Sequence, residues 1–334
     1  MSPCFFELGY STLPFCYETT LRGEYSMRRS GLRMIGLLLV LLLSMIVLFR
    51  QFQPTKHATS FQVRTTEAAL TDNAQKTRLP ARTGSNADKR RFVWPRGETA
   101  AVSITYDDGL QVHFEKVAPM LREYGLYGTF YPPGLCSLIR FPREWAEVAA
   151  MGHELGNHSL FHPCRRDGIN PAYNLENYNE TRWRDEMAIA NFILKTIDGK
   201  ENRTFAVPCA QIYVGSLENK KSVVPLIAKM FVAGRSYFNR EIITPDNINF
   251  VALPSFAADL DLQTSDRIIS VIKESQKISG WVIFTFHDIK KDGGYLSMDE
   301  EEHRKLLLFL SENKTDIWVS PIIEVCRYLK SKGY

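Results

Sequence analysis

The stretch ITYDDG, residues 104–109, places two adjacent carboxylates and a glycine directly after a hydrophobic run. The run is typical of the end of a buried strand. Gly109 allows the chain to turn there, so that Asp107 and Asp108 can both line the mouth of the strand. Two carboxylates this close raise each other's pKa unless a cation lies nearby. The sequence therefore predicts a bound cation at this strand end.

Strand-like and helix-like stretches alternate from residue 92 onward. The strand-like runs are AVSIT, YGTFY, HELGN, TFAVP, FVAG, FVALPS, WVIFTF and IWVS. Helices are expected over residues 112–124, 143–151, 180–197 and 223–230. This alternation predicts an α/β domain with a parallel sheet, either doubly wound or closed as a barrel. Seven or eight units in about 240 residues favour the barrel, and both architectures place chemistry at the carboxyl ends of the strands.

Two histidines follow the third strand-like run. His158 and His162 lie four residues apart in HSLFHP, a spacing that predicts both imidazoles on one side of a helical turn. With Asp108 they would supply three ligands to a divalent ion and leave positions open for water and substrate. The ion would be the expected cation, and Asp107 would stay free as a proton acceptor.

A third histidine, His287, ends the run WVIFTF at the same predicted edge. A single histidine after a buried strand is more often structural than functional. The two other groups of polar residues at neighbouring strand ends favour a catalytic role here.

Residues 92–334 resemble the polysaccharide deacetylases of carbohydrate esterase family four, whose members have a distorted (β/α)7 barrel. TYDDG is similar to the first motif of that family, HSLFH to the second and TFHD to the last. The resemblance implies hydrolysis of acetyl groups, usually N-acetyl groups, from polymers of amino sugars such as chitin or peptidoglycan. Some members act instead on the O-acetyl groups of xylan, so an O-acetyl esterase is an alternative.

The resemblance also implies a role for each residue of the site. Asp107 would be the general base and His287 the general acid, while Asp108, His158 and His162 would hold a divalent metal, commonly zinc. The metal would lower the pKa of its water and polarise the acetyl carbonyl. The base would take a proton from the attacking water, and the acid would protonate the departing amine or alkoxide.

The third family motif is altered in this chain. Members usually carry Arg-Pro-Pro-Tyr-Gly, whereas RTFAVPCAQ places Ala206, Cys209 and Ala210 at the Arg, Tyr and Gly positions. The backbone N–H of Cys209 could still stabilise the oxyanion. Arg235, near the end of a later strand, could replace the missing guanidinium, whereas Arg203 lies at the wrong end of its own strand. A carbohydrate-binding pseudoenzyme is therefore a further alternative.

Five further residues are candidates around the site. The Asp-Trp motif of the family is absent; Asp259 in FAADLD is the nearest match, and a role as a surface acid is at least as plausible. Tyr106 and Tyr295 are candidates for substrate contact. A disulfide between Cys164 and Cys209 is a hypothesis, because both residues would lie on the rim of the site in an oxidising compartment. Metal ligation by either cysteine is less favoured, since the implied triad is complete.

The composition excludes some classes of protein. The chain has 334 residues and a net charge of +4, which gives no support to nucleic-acid binding. Its six cysteines have neither a zinc-ribbon spacing nor the density of a small disulfide scaffold.

The N-terminal region predicts a membrane anchor over residues 34–50. Its apolar part spans roughly 24 Å as a helix, against a hydrocarbon core of about 30 Å. Arginines precede it, which keeps residues 1–33 cytoplasmic and the domain outside. A cleaved signal peptide is the alternative, but RQFQPTKH follows instead of a small-residue cleavage site. Residues 51–91 are expected to form a flexible basic linker. Translation from Met27 is a further hypothesis.

Overall fold

The computed structural model describes residues 90–165, 171–237 and 239–334, which lie within one compact unit. Packed structure begins near the predicted start of the domain. Phe92 is buried, and its ring centroid lies 4.9 Å from that of Tyr334 near the end of the chain. The first and last parts of the domain are therefore packed together.

The predicted cytoplasmic segment 1–33, the predicted anchor 34–50 and almost all of the predicted linker 51–91 lie outside the described residues. Among the residues that the structure does describe, none of the helices is both long and apolar enough to cross a membrane.

The strands of the described residues are short, apart from β1 and β10. They are β1 (Ala100–Asp107), β2 (Thr129–Tyr131), β3 (Glu154–Leu155), β4 (Thr204–Ala206), β5 (Tyr213–Val214), β6 (Lys221–Ser222), β7 (Ala233–Tyr237), β8 (Leu253–Pro254), β9 (Phe256–Ala257), β10 (Trp281–Phe286), β11 (Asp288–Lys290), β12 (Ser297–Asp299) and β13 (Ile317–Val319).

The α-helices follow strands, and the first four lie at the positions that the sequence predicts. They are α1 (Ala118–Glu123), which continues a π-helical turn (His113–Val117), α2 (Pro142–Ala150), α3 (Glu180–Asp198), α4 (Val224–Met230), α5 (Ser265–Lys277), α6 (Glu300–Glu312) and α7 (Ile322–Ser331). Helix α3 shows how its ends are fixed. The Asn179 side chain accepts a hydrogen bond from the N–H of Arg182, and Gly199 ends the helix with a φ of +73°.

The strands that carry the site are parallel. One sheet has the order β3-β2-β1-β10-β9, with β13 also paired to the start of β1, and a second has the order β4-β7-β8. A single parallel bridge between Asn157 and Phe205 joins the two sheets on one side. On the other side the chain passes directly from β8 into β9. The α/β class and the parallel sheet are thus confirmed, and these pairings are consistent with a distorted barrel.

The two faces of β1 are buried in different surroundings. Val102, Ile104 and Tyr106 belong to a hydrophobic cluster that includes residues of the covering helices. On the opposite face, the hydroxyls of Ser103 and Thr105 donate to backbone carbonyls at 2.7 and 2.8 Å. Because strand side chains alternate, the last residue of β1 lies on this polar face. The strand therefore ends with the carboxylate of Asp107 on its polar face.

Candidate metal centre and active site

The two carboxylates of DDG are separated by a sharp turn. Asp107 ends β1, while Asp108 and Gly109 both have left-handed backbones, with φ of +73° and +59°. A Cβ at Gly109 would lie 2.6 Å from Ser137 Oγ, which donates a hydrogen bond to the Gly109 carbonyl. The turn thus requires glycine at 109 and accepts a strained aspartate at 108, a residue type that tolerates this region. Both aspartates are buried as a result.

Asp108, His158 and His162 converge as the sequence predicts for a metal centre. Asp108 Oδ1 lies 3.4 Å from His158 Nε2 and 3.1 Å from His162 Nε2. Ligand atoms around a tetrahedral zinc ion lie about 3.3–3.5 Å apart, so this donor set fits such an ion. Burial alone would raise the pKa of Asp108, but the two imidazoles outweigh burial and hold it well below its usual value. The carboxylate is therefore ready to bind a cation.

The two histidines are not on a helical turn, and that part of the prediction is wrong. They lie in a loop after β3, and both Ser159 and His162 have positive φ, +68° and +52°. Side chains hold this loop: Asn157 Oδ1 accepts the Ser159 N–H at 2.7 Å, and Ser159 Oγ accepts the His162 N–H at 2.8 Å. A strained loop, not helical periodicity, brings the imidazoles together.

The orientation of His158 is fixed by a neighbouring strand. Its Nδ1 lies 2.8 Å from the carbonyl oxygen of Ala206, which can only accept a hydrogen bond. Nδ1 therefore carries a proton, and Nε2 is the nitrogen that faces Asp108 and could bind a metal. This is the usual second contact of a metal-ligating histidine.

Arg235 lies against the predicted base. One guanidinium nitrogen is 2.6 Å from Oδ1 and 2.5 Å from Oδ2 of Asp107, with both side chains buried. Burial raises the pKa of Asp107, but Arg235, followed by His158 and His287, more than offsets this, so its net pKa is lowered. The structure thus places Arg235 where it could take over the role of the missing Arg of the third motif.

His287 is held by Asp259. Asp259 Oδ2 accepts the backbone N–H of His287 at 2.5 Å and lies 3.0 Å from its Nδ1. Burial lowers the pKa of His287, but the hydrogen bond and charge of Asp259, with smaller effects of Asp108 and Asp107, raise it to about 9. The interpretation of Asp259 as a surface acid is wrong, since the residue is fully buried. Asp259 follows β9 at the same sheet edge as the other polar residues of the site. This position is the sequence signal that favours a role for Asp259 in the site.

One residue near the site was not predicted. His113 is fully buried, and its Nε2 lies 2.5 Å from the carbonyl oxygen of His287. Nε2 therefore donates, and it fixes the strand end that carries His287. Burial holds the pKa of His113 at about 4, so its ring is neutral at pH 7. Its position four residues after Gly109 gives no sign of this contact.

The structure contains the Cys164–Cys209 disulfide, with Cα atoms 5.9 Å apart. The two sulfur atoms lie close to His162. In the disulfide they are not thiolates, so they do not compete for a metal. The disulfide joins the loop of the two histidines to the altered third motif.

The two candidate tyrosines occupy different surroundings. Tyr106 is fully buried, and its hydroxyl lies 2.8 Å from His303 Nε2 in the core, so its side chain is not available to a substrate. Strand alternation explains this correction: Tyr106 and Asp107 face opposite sides of β1. Tyr295 is 70% exposed in the loop between β11 and β12, which follows His287.

The fold is shared with a solved structure. A protein from Mycobacterium smegmatis assigned as a polysaccharide deacetylase superposes with a TM-score of 0.55 at 16% identity, covering 73% of this chain and 94% of the other. Residues 95–223 match the family model for polysaccharide deacetylases. Residues 95–223 are therefore similar to the polysaccharide deacetylase family, as the motifs indicate.

Two curated relatives are similar over parts of their length. A peptidoglycan-N-acetylglucosamine deacetylase of Bacillus cereus is 28% identical over 120 residues, which are 36% of this chain and 40% of that protein. A gellan lyase of a Bacillus species is 22% identical over 270 residues, 74% of this chain and 10% of the lyase. The chain thus spans less than half the length of either relative.

Proposed function

We propose that this protein is a metal-dependent hydrolase that removes acetyl groups, preferentially N-acetyl groups, from a polysaccharide or oligosaccharide outside the cytoplasm. The match of residues 95–223 to the polysaccharide deacetylase family supports a deacetylase. The observation that carries the proposal is the juxtaposition of a buried Asp–His–His cluster with two oriented pairs, Asp107–Arg235 and His287–Asp259. One pair suits a base and the other an acid.

Asp108, His158 and His162 would hold the ion, with zinc as the metal that best suits one carboxylate and two imidazoles. When bound, the ion would polarise the acetyl carbonyl and lower the pKa of the attacking water. Asp107 accepts the proton of that water, since Arg235 holds its carboxylate in place and keeps it ionised. The backbone N–H of Cys209 is the proposed donor to the oxyanion.

His287 completes the reaction by protonating the leaving amine. Its raised pKa of about 9 keeps the ring protonated at neutral pH, as a general acid requires. Because Nδ1 of His287 contacts Asp259, Nε2 is the nitrogen that donates the proton to the leaving amine. The products are a free amine on the sugar and acetate.

The substrate and the location are further parts of this proposal. The Bacillus cereus relative acts, by its name, on N-acetylglucosamine of peptidoglycan, which supports an amino-sugar polymer here. Tyr295, exposed in the loop after His287, is the proposed stacking surface for a sugar ring. The proposed anchor 34–50 and linker 51–91 would hold the domain outside the membrane, with secretion after signal cleavage as the other route.

Acetate release tests the function directly. The purified protein, loaded with zinc, is incubated with chitin oligomers, peptidoglycan and acetylated xylan, with and without a chelator. Chelator-sensitive release from either amino-sugar polymer, lost in Asp107→Asn, is the expected result. Release from xylan alone would identify an O-acetyl esterase. Sugar binding without acetate from any substrate would identify a pseudoenzyme and refute the proposal.

A further inference from the structure

The altered third motif adopts a backbone that its residues do not favour. Cys209 and Ala210 have φ of +53° and +55°, two consecutive left-handed residues of which neither is glycine. Side chains with a Cβ resist this conformation, which glycine adopts readily. Such a turn is stable only when contacts with the surrounding structure hold its backbone in this conformation.

This turn is bonded to the loop that carries His162, a proposed metal ligand. Cys209 is bonded to Cys164, two residues after His162. Beside the disulfide, the Gln211 carboxamide accepts the N–H of Arg165 and lies 3.4 Å from the carbonyl of the same residue. The two loops are therefore joined by one covalent and two polar contacts.

The same disulfide lies directly against the metal centre. Cys164 Sγ is 3.7 Å from His162 Nδ1, while His162 Nε2 points to Asp108 at 3.1 Å. The backbone of His162 is itself left-handed, with φ of +52°. One crosslink thus restrains two strained elements: the turn with the proposed oxyanion donor, and the loop with a ligand.

We propose that the Cys164–Cys209 disulfide is a positioning element of the active site. It holds the Cys209–Ala210 turn in its left-handed form and the imidazole of His162 toward Asp108. The crosslink thereby replaces the conformational freedom that a glycine at position 210 would supply. The part concerning turnover rests on the proposed function, whereas the part concerning metal affinity does not.

The protein is also expected to respond to reduction. A phosphine reductant gives two electrons to the S–S bond and takes the oxygen of a water molecule, so that its products are two thiols and a phosphine oxide. The Gln211–Arg165 contacts keep the loops together after the bond is cleaved. Reduction should therefore loosen the site without unfolding the domain.

The experiment compares the full chain with the double variant Cys164→Ser/Cys209→Ser. We expect kcat to fall about tenfold with a smaller change in KM, since partial misplacement of an oxyanion donor costs less than its removal. Zinc affinity, measured by competition with a chromophoric chelator, should weaken several-fold. A phosphine should have the same effect on the wild-type protein and none on the double variant.

Ala210→Gly separates positioning from simple stabilisation. Added to the double variant, it should restore a large part of kcat, whereas in the wild-type background it should change little. A double variant with unchanged kcat and zinc affinity but a lower Tm would overturn the proposal. If the wild-type protein releases no acetate, the proposed function fails, and the zinc affinities of the double variant and of the reduced protein still decide the role of the disulfide.

Discussion

Asp259→Asn should move the alkaline limit of activity to lower pH. The pKa of His287 is raised to about 9 from an ordinary value of 6.5, and contact with Asp259 is the main cause that raises it. The difference corresponds to about 3 kcal/mol in favour of the protonated ring. Asn at 259 keeps an oxygen for the backbone N–H but removes the charge. Since Asp107 and Asp108 supply part of the effect, we expect a downward movement of more than about one pH unit.

The assay is the pH dependence of kcat/KM with saturating metal for wild type and variant. A bound cation lowers the pKa of His287 in both proteins, so the test is the difference between them. Stability gives a second readout. Because the folded pKa of His287 is the raised one, the pair stabilises the protein fully below pH about 6.5 and loses this effect as pH rises through about 9. Superimposable alkaline limits would refute Asp259 as the residue that keeps His287 protonated.

Substitutions at three further residues test the other roles. Asp107→Asn should lower kcat by at least about a hundredfold while a metal titration still shows one bound ion, and wild-type turnover would exclude it as the base. His158→Ala should remove the metal, measured by elemental analysis after dialysis; a full metal content would contradict its place as a ligand. Arg235→Ala should lower kcat and raise the acid limit of activity, because the guanidinium is the main group that lowers the pKa of Asp107. Arg235→Lys is the matched control that keeps the charge, and it should retain more activity than Arg235→Ala.

The parallel sheet and the positions of the polar residues could be predicted because both depend on local patterns. Apolar runs identify strands that are buried on both faces, and in parallel α/β folds their carboxyl ends meet at one edge. Asp108 and His162 come from separate strand ends and meet at 3.1 Å for this reason. Order along the chain was sufficient to predict the cluster.

The conformations that bring the ligands together could not be predicted in the same way. The spacing of His158 and His162 fits a helical turn, yet Ser159 and His162 adopt positive φ and the segment is a loop. This backbone is determined by contacts such as that of Asn157 with the Ser159 N–H, which depend on tertiary structure. Helix propensity and the periodicity of the sequence do not predict such backbone strain.

Arg235 shows both what the sequence predicts and what depends on tertiary structure. Ala206, at the position of the missing Arg, pairs directly with Arg235 in the register of β4 and β7. Neighbouring strands are about 4.8 Å apart, a distance that the long arginine side chain can span. The guanidinium therefore reaches Asp107 from the adjacent strand, where the family motif supplies it from β4. Loss of the motif residue alone would predict a weakened enzyme, whereas the strand register places a guanidinium beside Asp107, the proposed base. The proposed base therefore has a charged partner although the sequence motif has changed.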